Sequence, residues 1–173
     1  MKQFLLFLSF AFLVMACGDG PKEVAVEAEP VEEKVQKHSI DLSAHDVPLM
    51  VEIDSNMLVN DTVAVEWNEE FGRLEVTVGP KFSITVQEGE PEMDRLKSSL
   101  QNDPLRTSTI LEETPEFIIY RSQFPDDALT FVHFYKSMRV GDRAFIIESN
   151  DQGRFNEQDV QRMIGAVVPR QQI

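Results

Sequence analysis

From Ser39 onward the chain alternates apolar and polar residues. Ile40, Leu42 and Ala44 are interleaved with Ser39, Asp41 and Ser43, and Val47, Leu49, Val51 and Ile53 repeat the pattern after a break at His45-Asp46. A period of two is the mark of a strand with one buried face. Val63, Val65 and Trp67 stand against Leu74, Val76 and Val78 across a connector holding Asn68 and Gly72. Gly79-Pro80 then turns the chain into Phe82, Ile84 and Val86. Runs of this kind separated by turn residues predict an antiparallel meander. Their other face carries mainly Thr, Ser and Glu, so it is wet or only partly covered.

The period changes at Pro91, a residue tolerated in a helix's first turn. Met93, Leu96 and Leu100 recur at helical spacing until Asp103-Pro104 stops the run, which predicts a short helix lying on the sheet. Strands follow near Ser108–Glu113, Phe117–Gln123, Leu129–Arg139 and Arg143–Glu148. Here both parities are apolar: Phe131 and Tyr135 on one side, Val132 and Phe134 on the other. Such strands are covered on both faces. Gly141-Asp142 is a turn between the last two. Asn156 is a natural N-cap with Asp159 three positions on, and Val160, Met163, Ile164 and Val167 form an i, i+3, i+4, i+7 stripe closed by Pro169. The order of elements predicts an α+β domain over residues 38–173. It is a mainly antiparallel sheet with a short mid-chain helix and a C-terminal amphipathic helix packed on it as a sandwich.

The first residues have a different character. Lys2 precedes an apolar run from Phe4 to Met15, and Val14-Met15-Ala16-Cys17 closes it. A charged start, an apolar stretch and a small-residue cleavage site make a secretory signal over residues 1–16. These twelve residues, apolar but for Ser9, reach about 18 Å as a helix, short of the ~30 Å core of a bilayer. A cysteine directly after the small residue resembles the lipobox of bacterial lipoproteins. That resemblance implies cleavage before Cys17, acylation of its thiol and lasting attachment to a lipid bilayer. Gly18 at the next position makes the outer membrane the expected location. Residues 17–37 hold Gly18, Gly20, Pro21 and Pro30 among Glu, Val, Ala and Lys, with no aromatic residue. A segment so poor in large apolar groups predicts a flexible acidic tether.

Charge narrows the partners. The formal net charge is −14, and loss of Lys2 with the signal makes it −15. Phosphate backbones demand cationic surfaces, so nucleic acid is excluded as an expected partner. Cys17 is the only cysteine, which leaves no intramolecular disulfide. His38 and His45 stand seven apart, on opposite faces of a continuous strand, and make no zinc pair by spacing. His133 between Phe131 and Tyr135 reads either as a general base or as a histidine hydrogen-bonded within the sheet, the second being the commoner case. The loops around Asp54–Asp61 and Glu148–Gly153 miss the calcium-loop register and read as turns. No Gly-x-Ser-x-Gly elbow and no glycine-rich phosphate cradle is present.

The segment Phe131-Val132-His133-Phe134-Tyr135, then Arg143–Ser149, then a helix from Glu157 to Val168, resembles in element order the PsbP-type extrinsic photosystem proteins. The resemblance implies a binding or assembly factor, without catalysis or cofactor. The expectation is therefore a lipid-anchored envelope protein that holds a protein partner. The alternatives are an envelope hydrolase with a carboxylate site and a structural envelope component. Aromatics and arginines are enriched at interface hot spots. By strand parity Tyr120, Arg121, Tyr135 and Arg139 are the expected contacts, with core packing as the alternative for the two tyrosines.

Overall fold

Alternation, hairpin turns and one two-sided apolar stretch build two antiparallel sheets. The computed structural model describes residues 36–59, 61–126 and 128–171. They belong to the second of the chain's two units, Lys34–Ile173. The signal, Cys17 and the tether up to residue 35 lie outside the described residues. The elements in chain order are β1 (Lys37–Asp41), β2 (Leu49–Asp54), β3 (Val63–Asn68), β4 (Arg73–Val78), β5 (Ser83–Glu88), α1 (Met93–Gln101), β6 (Thr107–Glu113), β7 (Phe117–Gln123), β8 (Thr130–Val140), β9 (Arg143–Ser149), α2 (Glu157–Ala166) and β10 (Val167–Pro169). The large sheet runs β3-β4-β5-β9-β8-β7-β6 and the small one β1-β2-β10. The fold is α+β, mainly antiparallel, as the periodicities predict.

The two faces of the large sheet are told apart by neighbouring residues of β8. Lys136 reaches α2, donating to the carbonyls of Ile164 at 2.8 Å and Val167 at 3.2 Å. Tyr135 reaches the start of α1, its hydroxyl accepting from the Glu92 N–H at 3.0 Å. Successive side chains of a strand point to opposite faces, so α1 and α2 cover opposite sides of the sheet. This is the two-sided cover that the apolar second half requires.

The α2 side holds the main core. Leu74, Val76, Val78, Ile84, Val86, Phe134, Phe145 and Ile147 pack there with Val160, Met163 and Ile164 of the helix and with Leu49, Val51 and Ile53 of β2. Each fully buried side chain of this size is worth roughly 1.5–3 kcal/mol. The predicted cap is present in full: Asp159 N–H donates to Asn156 Oδ1 at 2.9 Å, and Asn156 N–H to Asp159 Oδ2 at 3.1 Å. Asp159 is buried, and Arg162 at 2.5 Å and Lys81 at 3.6 Å balance its charge.

Two local expectations are corrected. The first strand stops at Asp41 instead of running on through Leu42 and Ala44. Asp41 Oδ1 takes the Ser43 N–H at 2.9 Å, and Ser43–His45 forms a 3₁₀ turn that ends at Asp46 with φ 59°. A short acidic side chain that bonds its own backbone two residues on competes with the strand ladder. His38 and His45 thus lie on different elements. The C-terminal helix also ends early, at Ala166. Val167 and Val168 are β-branched and Val168 precedes proline, which favours extended backbone. They become β10, pairing Val167 with Val51 and Val168 with Met50.

Candidate functional site

On the α1 side, one row of side chains crosses the whole large sheet. Strand pairing places Glu66 opposite Glu75, Glu75 opposite Thr85, Thr85 opposite Glu148, Glu148 opposite Tyr135, and Tyr135 opposite Ile118. In the adjacent row Tyr120 of β7 stands opposite His133 of β8. Tyr120, His133, Tyr135 and Glu148 therefore form one block, assembled from the three consecutive strands β7, β8 and β9.

Burial sets the protonation of this block. His133 is buried, with Nδ1 3.0 Å from Ser149 Oγ. Its ring lies 5.6 Å from that of Tyr120. Loss of solvent holds its imidazole below the ordinary value, opposed by Asp151. At neutral pH it is an uncharged hydrogen-bonding group within the sheet, the commoner of the two sequence readings. The same loss of solvent pushes the Tyr120 phenol far up, helped by Glu148 and Asp151. Glu148 is pushed up as well, by burial first and by Asp151 second, with Arg73 acting against them.

Between α1 and the sheet lies a recess of about 230 Å³, with Gln87, Tyr135, Ile146 and Glu148 beneath and Arg95, Leu96 and Ser99 beside it. Glu90 and Glu92 also border it. Glu90 is tied to Arg139 at 2.7 Å and Glu92 to Arg95 at 2.7 Å. The Glu148 carboxyl makes no hydrogen bond or ion pair among the described residues. A carboxyl in this state can donate a proton in a hydrogen bond or, when ionised, accept one from a ligand. A larger open depression beside Asp41, Met50, Glu52 and Arg170 has no buried titratable group among the described residues.

The four expected contacts divide. Tyr120, Tyr135 and Arg139 share the α1 side, whereas Arg121 is on the α2 side and pairs with Glu157 in the first turn of α2. Tyr135 is only 6% exposed and Tyr120 is half-buried, so the tyrosines serve mainly as floor and packing. Arg139 is exposed and Arg121 partly buried, and both are already paired. Cys17 lies outside the described residues. The two acidic loops are turns: Ser55–Leu58 is a 3₁₀ turn, and Asn150 Oδ1 accepts the Gln152 N–H at 3.0 Å. Among the described residues no group of three or more His, Cys, Asp or Glu could hold a metal ion, and no helix is long and apolar enough to cross a membrane.

Sequence reasoning missed an apolar tip at one end of the sheet. Thr107 opens β6 opposite Gln123, the end of β7, and Gln123 pairs with Thr130, the start of β8. The segments just beyond place Leu105, Phe124 and Leu129 at this end of the sheet, and the three are 68%, 43% and 47% exposed. Phe124 meets Phe131 edge-on at 6.3 Å. The signal was present as large apolar residues in the turn segments Pro104-Leu105 and Phe124-Pro125, outside any strand period. No protein-family model, no curated protein and no solved structure matches this chain, so the likeness to the PsbP-type proteins rests on the order of elements alone.

Proposed function

We propose that this chain is a bacterial envelope lipoprotein that binds a protein partner and does no chemistry on it. Acyl chains on Cys17 hold it on a bilayer, in the outer membrane by the residue that follows, and the acidic stretch to residue 37 spaces the domain from the surface. The observation that carries the binding reading is the apolar tip. Three large side chains, each more than 40% exposed and carried at one end of the sheet by two connecting segments, have the composition of an interface centre. Asp103, Asp126 and Asp151 nearby, with the net charge of −14, favour a protein surface with an apolar hollow and a basic rim over nucleic acid.

The test has two parts. Cys17→Ala should move the chain from the membrane to the soluble fraction; pelleting with membranes after a high-salt wash refutes the anchor. Leu105→Ser with Phe124→Ser should reduce a partner captured from the native membranes at least tenfold, on the order expected for two interface anchors, with the melting temperature unchanged. Undiminished capture refutes the tip.

One observation favours the hydrolase as a second reading. Glu148 leans towards its neutral form in a recess that Glu90 and Glu92 also border, and glycosidases work with two carboxyls. Glu90 and Glu92 are each neutralised by an arginine, which leaves a single free carboxyl and ranks this reading second. Turnover of an envelope polymer that Glu148→Gln abolishes without unfolding would reverse that order.

A further inference from the structure

The large sheet has two edges and they are built differently. At β6 the register with β7 slips between Ile110 and Glu112, a bulge. Glu112 is held by Gln161 at 2.8 Å and Glu113 by Lys97 at 3.0 Å. Bulges, charges and a neighbouring helix are the devices by which native sheets blunt an edge. At β3 the only one of them among the described residues is a single charge, Glu66. Its pairing with β4 runs unbroken from Val63↔Val78 to Asn68↔Arg73, and the strand holds no lysine and no proline. The backbone groups of β3 that point away from β4 have no hydrogen-bond partner among the described residues. Trp67, half exposed, stands on this strand.

The geometry points to a second copy of this chain as the partner of that edge. The two β3 strands pair antiparallel about a two-fold axis through Val65, and the two sheets become one. An axis perpendicular to the sheet keeps both α2 layers on the same side, which restricts it to whole-residue centres. Centring on Glu66 sets the carboxylate against itself, and centring on Ala64 sets Trp67 against Asp61. Centring on Val65 places Trp67 against the partner's Val63 and Glu66 against the partner's Ala64. Like charges do not meet, and an aromatic side chain covers a β-branched one, a favourable cross-strand pair. A six-residue ribbon is small beside the ~1,000 Å² of a stable interface, so this is a concentration-dependent dimer. Confinement of the chain to a membrane through the proposed anchor would raise its effective concentration and favour it.

The test is disulfide trapping in membranes. Full-length chains with Val65→Cys, Val63→Cys or Thr109→Cys are oxidised beside the unchanged chain, which controls for Cys17. Residues on the two-fold come within disulfide reach of themselves, so Val65→Cys should form a dimer about tenfold faster than the other three. Equal rates, no dimer, faster trapping at position 63, or an adduct with a different protein each overturns the proposal. A second measurement does not depend on Cys at position 65 being tolerated. The unchanged chain in detergent should shift from monomer to dimer in sedimentation between about 1 and about 100 μM, and Ala64→Glu, which sets a second carboxylate against the partner's Glu66, should abolish the shift. A monomer throughout, or a dimer that survives Ala64→Glu, also overturns it.

Discussion

Lys136→Met tests how the end of α2 is satisfied. The last carbonyls of any helix lack partners inside it. Here no glycine cap follows, because the chain passes directly into β10. The Lys136 ammonium supplies the missing donors from the sheet below, at 2.8 Å to Ile164 O and 3.2 Å to Val167 O. Hydrogen bonds involving a charged group contribute roughly 1.5–3 kcal/mol each, and a cation at a helix C-terminus up to ~2 kcal/mol, partly the same energy counted again. Burial works against this, and it holds the ammonium below its ordinary value, with Glu116 opposing. The balance is a net contribution of about 2 kcal/mol. Methionine keeps the unbranched apolar stem and leaves no large cavity. The expected result is a loss of about 2 kcal/mol in urea denaturation, or roughly 6 °C in melting temperature for a unit of this size. The far-UV circular dichroism at low temperature should stay native. A methionine variant as stable as the parent, or more so, would show that the cost of burying the charge cancels both bonds, and the capping argument would fail.

The buried stripe of α2 gives a second prediction: Val160→Asp, at a fully buried position, should cost more than ~2 kcal/mol because it places an unpaired carboxylate in the core. A change within ~0.5 kcal/mol would mean the helix is not docked as described. A third concerns pH. His133 has a folded value below its unfolded one, so the unfolded chain binds more protons between the two. Stability from this group is full above about pH 6.5 and falls as pH drops through 6.5 towards the lowered value. Glu148 has a folded value above 4.5, and its contribution falls as pH rises from 4.5 through that raised value. On acidification from pH 7.5 to pH 5 the two oppose each other. His133→Gln should flatten the loss of stability and Glu148→Gln should steepen it while raising stability at pH 7.5; urea midpoints that move in parallel for all three proteins would refute both assignments.

What the sequence determined by itself is what local period and capping report. Alternation in Leu74–Val78 and Phe82–Val86, two-sided apolarity in Phe131–Tyr135, and the Asn156–Asp159 pair placed the strands, demanded cover on both faces and located the start of the last helix. Each of these signals is carried within a few residues of chain. The third dimension decided the rest. Which strand lies beside which is a property of segments distant in sequence. The separation of a small β1-β2-β10 sheet, the pairing of Thr85 with Glu148, and the placement of Leu105, Phe124 and Leu129 at one end of the sheet were therefore not legible. Val167 satisfied the helical stripe and an extended strand equally well, and the open side of β2 settled the choice by offering ladder partners. Nothing in the sequence marks Lys136; the helix end above it shows what its charge is for. A side-chain pattern states which face is buried; only the packed chain states against what, because burial is local and pairing is not.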